Sequence, residues 1–419
     1  MFSNIGLNTR IGFYLAIRQI RRSSLWTTGL IVFVMVLTFL NLVVVSGILV
    51  GLIQGSVEAA RTQYTSDVIL STLSDKKYIE NSPNIIGLLK SLPEVEKISP
   101  RFQEGANLEA NYKTRKETDK PNITGSQIVG IDPGLEDAVT GLSKSVALGS
   151  YLAPGDYDQV LVGQYLLKQF VPIDSPGFAA LENVNVGTKI RIIIGDITKE
   201  VTVKGILKSK VDEVTRNVYM TDSQLKNLID RADGNVDQIV VKLKKDVDPV
   251  IVREILKQRG VNEFAKVQTY ADAQPQFLKD IIATFSMLGN FFSSIGLVVS
   301  SITIFIVIFI NAITRRKFIG ILKGIGINGQ AIEISYIFQS IFYALCGSII
   351  GLALLYGFLS PFIAAHPIDF PFSDGILVAP LDGTLFRVGL LILSTVIAGY
   401  VPARMIVRKN TLDSILGRK

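Results

Sequence analysis

The stretch LWTTGLIVFVMVLTFLNLVVVSGILVGLI, residues 25–53, lies within 35 consecutive uncharged residues between Arg22 and Glu58. A helix needs about 20 mostly apolar residues to cross about 30 Å of hydrocarbon, so this stretch is long enough to span a membrane. It is about twice as long as the apolar region of a secretory signal peptide, which is about 7–15 residues. We therefore interpret residues 25–53 as an uncleaved first span, with Trp26 at the membrane interface.

Three more apolar stretches follow later in the chain. Two contain 34 and 35 consecutive uncharged residues, and the last contains 16, between Arg387 and Arg404. The last stretch is long enough to span if the Arg387 side chain reaches the headgroups, as long basic side chains do. The composition, 48% hydrophobic and 19% charged, agrees with a membrane protein. The sequence predicts an α-helical membrane protein with four transmembrane helices, at 25–53, 283–313, 331–358 and 385–405.

The distribution of charge predicts the orientation. Residues 54–282 hold 29 Lys and Arg and 31 Asp and Glu, a net charge of −2. Since the whole chain has a net charge of +7, the residues outside this segment carry a net charge of +9. Of the 14 basic residues outside that segment, 13 lie at the N-terminus, in residues 314–330 or at the C-terminus. By the positive-inside rule, the N-terminal segment 1–24, the segment 314–330 and the tail 406–419 are cytoplasmic. Residues 54–282 and the loop 359–384 are then extracytoplasmic.

Residues 54–282 are predicted to form a large α+β extracytoplasmic domain, inserted between the first two spans. Seven short runs rich in β-branched residues predict strands: SDVILST, SQIVGI, QVLVG, KIRIIIG, EVTVKGIL, RNVYM and DQIVVKL. Three amphipathic runs predict helices: NIIGLLKSL, SQLKNLID and PVIVREILKQR. The polar stretch ANYKTRKETDKPNITGS, residues 110–126, predicts an exposed loop.

The sequence contains no pattern for catalysis or cofactor binding. Its only Cys, Cys346, and its only His, His366, have no partners at metal-ligand spacing. No G-x-x-x-x-G-K-[ST] occurs, and the G-x-G-x-x-G from Gly324 to Gly329 follows no strand and lies in no βαβ unit. We therefore expect no enzyme, and no catalytic, metal or cofactor site in this chain. We also expect no nucleic-acid partner, because no basic patch with interleaved aromatic residues is present.

The segment 315–326 predicts a short amphipathic helix. At about 100° per residue its apolar side chains share one arc: Phe318, Ile319, Ile321, Leu322 and Ile325. The other arc holds basic residues and glycines: Arg316, Lys317, Gly320, Lys323 and Gly324. Such a helix fits either a membrane surface or the groove of a partner. Two interpretations follow: a docking element for a cytoplasmic partner, or a basic turn that only orients the chain.

The stretch RRKFIGILKGIGINGQAI resembles the cytoplasmic signature of the FtsX-like, or MacB/LolC-type, ABC transporter permeases, which is an Arg-rich start followed by E-I-G-I-L-R-A-I-G. Phe318 stands where that family usually has Glu, and Gln339 also replaces a common Glu. The ending GYVPARMIVRKNTLDSIL is similar to the family ending, with Pro402, Arg404 and Leu412 matched. The start LAIRQIRRSSLWTT resembles the family's amphipathic N-terminal helix. Strings such as VEKISPRF and VLVGQYLLKQF resemble its MacB-like periplasmic core domain.

The resemblance implies a coupling helix at Arg315–Gly326 that docks on a separate cytoplasmic ABC ATPase. The residues that it assigns to ATPase coupling are Arg315, Arg316, Lys317, Phe318, Gly320, Leu322, Lys323, Ile325 and Gly326. ATP and magnesium would bind the partner ATPase, and this chain would hold no cofactor. The resemblance also implies a second permease protomer, membrane lipids, a possible extracytoplasmic adaptor and a location in the cell (inner) membrane. Residues 269–285 would be the stalk that leads into the second span.

Two functions fit this resemblance. The first is export, or extraction of lipids or lipoproteins, by mechanotransmission, in which ATP-driven closure moves the stalk and the extracytoplasmic domains. The second is an ATPase-driven signal that regulates a cell-wall hydrolase or a sensor kinase. The large domain at 54–282 favours export or extraction. A membrane-anchored enzyme has no supporting residues in the sequence.

Overall fold

The computed structural model describes residues 3–116, 120–171, 179–274, 276–366, 368–370, 373–375 and 377–408. The chain forms two compact units: a helical unit of residues 1–53, 280–369 and 375–419, and an α/β domain of residues 54–279 and 370–374. The end of the predicted cytoplasmic tail, including Leu412, lies outside the described residues.

The described residues form helices and strands in the following order. The α-helices are α1 (Ser3–Arg21), α2 (Leu25–Ala60), α3 (Ser82–Ser91), α4 (Pro133–Thr140), α5 (Asp212–Thr215), α6 (Asp222–Leu228), α7 (Pro249–Gln258), α8 (Gln276–Thr314), α9 (Arg316–Gly324), α10 (Gly329–Leu354), α11 (Ser360–Ala365) and α12 (Leu381–Val407). The strands are β1 (Val68–Ser71), β2 (Val95–Glu109), β3 (Ile123–Ile131), β4 (Val146–Gly149), β5 (Gln159–Gly163), β6 (Lys189–Ile194), β7 (Ile197–Leu207), β8 (Asn217–Thr221), β9 (Gln238–Leu243), β10 (Lys266–Thr269), β11 (Ile368–Phe370) and β12 (Ser373–Gly375).

Among the residues that the structure describes, four helices are long and apolar enough to cross a membrane, as the sequence predicts. They cover residues 25–65, 279–314, 329–365 and 381–407. The first and third are longer than their α-helical parts because π-helical turns, Arg61–Thr65 and Leu355–Leu359, follow α2 and α10. The α/β domain is inserted between the first and second of these helices, so the predicted fold class is confirmed.

Helix α10 packs closely against its neighbours through small residues. A Cβ atom added at Gly347 would meet the backbone and side chain of Met35, and one at Gly351 would meet the ring of Phe39. A Cβ added at Gly399 of α12 would likewise meet the Ser340 side chain. Since lipid does not drive apolar helices together, close van der Waals contact at small residues is a main source of their association. The spacing Gly347-x-x-x-Gly351 thus positions the first span against the third.

Helix α1 runs alongside the first half of α10 and in the same direction. The Asn8 amide donates to Gln330 at 3.3 Å near the start of both helices. Further along, the Gln339 amide donates to the Gln19 side-chain oxygen at 2.6 Å. Both members of this second pair are buried. The predicted amphipathic N-terminal helix is therefore present, and Gln339 has a neutral partner.

The described part of the α/β domain contains one mixed sheet of ten strands. Its strand order is β10-β1-β9-β2-β3-β8-β5-β7-β4, and β6 pairs with both β2 and β7. Two neighbouring pairs are parallel, β3 with β8 and β5 with β7. The domain's first and last strands in this sheet, β1 and β10, pair antiparallel with each other. The chain therefore enters and leaves the domain at the same edge of the sheet.

Both faces of this sheet are buried at β3, because adjacent residues of this strand belong to different core clusters. Ile128 of β3 packs in the larger cluster, and Val129 packs in a second one that contains Tyr64. The seven predicted strands correspond to β1, β3 and β5–β9, and the three predicted helices to α3, α6 and α7. The sequence did not predict β2, the longest strand, with 15 residues. The predicted loop 110–126 is wrong at its end, because β3 already begins at Ile123.

Candidate functional site

Helix α9 is a separate short helix held between two spans. It follows α8 after a break of one residue, Arg315, and its first residue is Arg316. It ends in a Schellman motif: the Ile327 amide donates to the Leu322 carbonyl at 3.0 Å, and the Gly326 amide donates to the Lys323 carbonyl at 3.1 Å. Gly326 has φ +94°, a conformation that costs glycine little and other residues more. The predicted helix at 315–326 is therefore present, with defined ends.

The glycines of the G-x-G-x-x-G have structural roles at this turn. Gly324 is the last residue of α9, and Gly326 supplies the left-handed cap. Gly329 begins α10, and a Cβ there would lie 3.0 Å from the Val407 side chain. Asn328 caps α10 by accepting from the Gln330 amide at 3.0 Å. The stretch is thus a helix–turn–helix connection with no preceding strand, and it is not a dinucleotide-binding turn.

The apolar arc of α9 is divided between two environments. Ile319 and Leu322 are 2% and 7% exposed and pack in the core of the helical unit. Phe318, Ile321 and Ile325 are 47%, 51% and 71% exposed. These three residues are spaced i, i+3 and i+7, so they form one continuous exposed strip on the helix. We call Phe318, Ile321 and Ile325 the outer strip.

This division changes the predicted set of docking residues. Leu322 was expected on the docking surface, but it is part of the internal core together with Gly320, which is also buried. Ile321 was not among the predicted site residues, yet it lies at the centre of the outer strip. The i, i+3, i+7 spacing with Phe318 and Ile325 was the available signal. The pattern could not show which half of the arc faces inward.

The basic residues of α9 have different roles. Lys317 is exposed beside the outer strip, whereas Arg315 and Arg316 are half-buried. The Lys323 ammonium donates to the Val407 carbonyl at 2.9 Å and so caps the C-terminus of α12. The structure therefore brings Lys323 to the end of the helix that carries the predicted C-terminal motif.

The two predicted residues of that motif lie on opposite sides of α12. Pro402 is buried within the helix. Arg404 is exposed, and its guanidinium carbon lies 5.5 Å from the centre of the Tyr400 ring. Since Pro402 packs inward and the last carbonyl of α12 accepts from Lys323, this end of α12 holds α9 in place. Sequence reasoning missed the Val407 carbonyl because no side-chain pattern identifies it.

No group of three or more His, Cys, Asp or Glu side chains that could hold a metal ion occurs among the residues described in the structure. Helix α9 itself, RKFIGILKG, contains no Ser, Thr, Cys, His, Asp or Glu. What it offers is an exposed apolar strip next to a cationic side chain, on a helix anchored at both ends. Such a surface can bind a complementary groove on another protein.

Comparison with known proteins adds the following findings. Residues 28–259 match the MacB-like periplasmic core domain, and residues 290–411 match the FtsX-like permease C-terminal region. The uncharacterized ABC transporter permease MJ1507 of Methanocaldococcus jannaschii is 26% identical over 239 residues, which make up 54% of this chain and 58% of that relative. The chain thus spans less than two thirds of the length of this curated relative.

Two solved structures are similar to part of the chain. The periplasmic region of MacB from Actinobacillus actinomycetemcomitans has 16% identity and a TM-score of 0.35, over 54% of this chain and 95% of that one. The extracellular domain of the transporter YknZ from Gram-positive bacteria has 16% identity and a TM-score of 0.31, over 48% and 98%.

Proposed function

Because this chain belongs to the MacB/FtsX type of ABC transporter permease, we propose that it is the membrane subunit that couples a separate ATPase to export, or to extraction of lipids or lipoproteins. The α/β domain is extracytoplasmic in this proposal, and both termini are cytoplasmic. ATP and magnesium bind the ATPase subunit, which α9 contacts from the membrane side. Two permease protomers, identical or paralogous, form the complete unit in the cell membrane.

The outer strip of α9 is the observation that carries this proposal. Phe318, Ile321 and Ile325 are large apolar side chains on a helix whose opposite face is already buried. Fully burying such a side chain contributes about 1.5–3 kcal/mol; Phe318 and Ile321 are about half buried already and Ile325 less so, so each offers roughly 1 kcal/mol or more to a partner. Lys317 adjoins the strip and suits an acidic rim on the ATPase. Phe318, which replaces the usual Glu, makes this contact apolar where the family signature has a carboxylate.

The contacts that anchor α9 explain how a displacement of this helix by the ATPase can move the spans. Ile319 and Leu322 share a core cluster with Ile304 and Ile308 of α8. Lys323 connects the end of α9 to the end of α12 through the Val407 carbonyl. In this proposal a displacement of α9 is passed to the second and fourth spans through these contacts. This is the property that mechanotransmission requires.

Substitution on the two faces of α9 tests the docking role. The variant Phe318→Ser with Ile321→Ser removes most of the outer strip and leaves the inner face intact. We expect at least tenfold weaker binding of the copurifying ATPase, because the loss of about 2 kcal/mol exceeds the 1.4 kcal/mol that corresponds to a tenfold change. Binding is measured by titration of the purified ATPase onto permease in detergent, together with the rate of ATP hydrolysis.

The matched control is Ile251→Ser in α7, where the side chain is 57% exposed but belongs to the α/β domain. This variant should bind the ATPase as the unmodified chain does. Equal binding by the double variant and the control would refute docking through the outer strip. Crosslinking of the active complex, read by mass spectrometry, then separates the two outputs: a lipid or lipoprotein supports extraction, and a bound hydrolase or kinase supports signalling.

A further inference from the structure

The helix that contains the first span continues into the α/β domain and ends there in an unusual turn. Helical structure is continuous over the 41 residues from Leu25 to Thr65, and its last five residues, Arg61–Thr65, form a π-helical turn. The Thr65 hydroxyl donates to the Ala60 carbonyl at 3.1 Å, five residues back. Turns of this kind are rare and occur frequently at functional sites. We call Arg61–Thr65 the stalk turn.

A buried arginine connects the stalk turn to the sheet. Arg101 of β2 is 0% exposed. Its Nη2 donates to the Tyr64 carbonyl at 2.7 Å, and its Nη1 donates to the Gln238 side chain of β9 at 3.0 Å. The guanidinium carbon also lies 4.7 Å from the centre of the Tyr64 ring. Arg101 thus connects its own strand, β2, to the stalk turn and to the neighbouring strand β9.

The charge of Arg101 is balanced by one carboxylate, Glu136 of α4. The guanidinium donates to both oxygens of Glu136, at 2.6 Å from Nη2 and 3.0 Å from Nε. The hydroxyls of Ser99 and Thr140 donate to the same carboxylate, at 2.7 and 2.9 Å. Burial alone would raise the pKa of Glu136, but the charge of Arg101 and these hydrogen bonds hold it below its ordinary value. The pair is therefore ionised and well satisfied.

A buried ion pair of this kind is weak grounds for a role in stability alone. Desolvation of the two charges offsets most of their attraction, and apolar side chains of similar volume often serve stability equally well. Apolar side chains do not make directional hydrogen bonds, so they do not fix the orientation of the groups around them. The bidentate fork of Arg101 and its bond to the Tyr64 carbonyl hold the stalk turn in one orientation relative to β2, β9 and α4.

A second contact at the stalk turn has the same effect. Arg61 donates to Asp67 Oδ1 through Nε and Nη2, at 2.9 and 2.7 Å. The other oxygen of Asp67 accepts from the Leu243 amide of β9 at 2.8 Å. Arg61 also stacks on Tyr270, just after β10, with its guanidinium carbon 4.8 Å from the ring centre. The stalk turn is thus tied to the strands by which the chain enters and leaves the domain.

We propose that Arg101 is a positioning residue that joins the end of the first span to the sheet, so that motion of this helix moves the sheet as one body. The proposal rests on the function proposed above, in which force from the ATPase travels along the spans. Glu136 holds Arg101 in place, and the Tyr64 carbonyl is the atom of the helix that Arg101 binds. Without the guanidinium, fewer contacts, among them those of Arg61, would connect the stalk turn to the strands, and less of its motion would reach β9.

Amide hydrogen exchange of the full permease with its copurified ATPase tests this proposal. The test variant combines Arg101→Met with Glu136→Leu, which removes the pair but keeps its volume. The control combines Arg231→Met with Asp237→Leu, an ion pair of the same domain with contacts of 2.8 and 2.9 Å whose described side-chain hydrogen bonds do not reach the stalk turn. Exchange is followed at residues 61–66 and 238–243, with and without ATP and vanadate.

In the unmodified complex and the control, nucleotide should change exchange at both segments. In the test variant the change at residues 61–66 should remain, and the change at 238–243 should be reduced at least threefold. A change at 238–243 as large as in the unmodified complex would overturn the role of Arg101 and leave the proposed function standing. The absence of any nucleotide effect in the unmodified complex would overturn the proposed function, and this inference with it.

Arg101→Lys provides a second variant in case the double variant does not fold. A lysine keeps the charge opposite Glu136 but has no planar fork to bridge the carboxylate, Gln238 and the Tyr64 carbonyl. We expect a reduction of at least twofold in the nucleotide response at 238–243. A response equal to that of the unmodified complex would contradict the proposal.

Discussion

The helical unit and the α/β domain bury polar groups in different ways. Among the described residues, every buried polar side chain of the helical unit is uncharged. The domain buries several charged ones: Asp67, Arg101, Glu109, Glu136 and Asp237. A charge surrounded by apolar helices and lipid has few partners that could satisfy it, whereas a sheet presents many backbone and side-chain groups at close range. Each unit therefore uses the polar groups that its surroundings can satisfy.

This comparison predicts the largest effect for a broken ion pair in the domain. Glu136→Ala leaves the Arg101 guanidinium buried with no carboxylate, and loss of one partner of a buried pair costs about 3–5 kcal/mol. We expect a clear fall in the unfolding temperature of the purified chain, measured by circular dichroism. Glu96→Ala, at a pair 45% and 39% exposed, should leave the unfolding temperature unchanged. A small effect of Glu136→Ala would show that the domain does not depend on satisfied charge.

An intermediate effect is expected where the helical unit depends on close packing. A Cβ at Gly347 would lie 3.1 Å from a backbone carbon of Met35, which cannot move aside as a side chain can. Overpacking of this kind costs about 1–3 kcal/mol. Gly347→Ala should therefore lower the unfolding temperature in detergent. Gly389→Ala is the matched control, because nothing lies within 4 Å of its added Cβ, and it should stabilise α12 slightly.

The smallest effect is expected for the neutral polar pair of the helical unit. Gln339→Leu removes the 2.6 Å hydrogen bond to Gln19. Hydrogen bonds between membrane helices are worth about 0.6 kcal/mol on average. The same thermal measurement should show a decrease in the unfolding temperature near the detection limit. Gln19→Leu combined with Gln339→Leu should bring the unfolding temperature most of the way back to that of the unmodified chain. A decrease in unfolding temperature as large as that of Glu136→Ala would show that the two units do not differ in how much they depend on buried polar groups.

Features that depend on local sequence were predicted well. The four spans follow from uncharged length, and seven strands follow from runs of β-branched residues, both of which are properties of neighbouring residues. Strand β2 was missed for a physical reason: it contains Pro100 and five charged residues, which argue against a central strand. Arg101 is accepted there only because Glu136, Gln238 and the Tyr64 carbonyl come from distant parts of the chain.

In the candidate site, too, the local sequence predicted the helix but not its contacts with distant parts of the chain. The amphipathic pattern of 315–326 predicted a short helix, and the structure confirms the helix. It did not predict that Leu322 faces inward and Ile321 outward, because that depends on where α8, α10 and α12 pack around α9.

The sequence by itself determined the four membrane-spanning helices, the inserted α/β domain and the short helix between the second and third spans. Length, charge and hydrophobic period act over a few turns of chain, so they can be read without a structure. Only the tertiary structure decided which apolar residues of α9 remain exposed and which structural roles the glycines of its turn have. It also decided that Arg101 binds the Tyr64 carbonyl at the end of the first membrane helix. Those outcomes depend on contacts between residues far apart in sequence, such as the 84 positions that separate Lys323 from Val407.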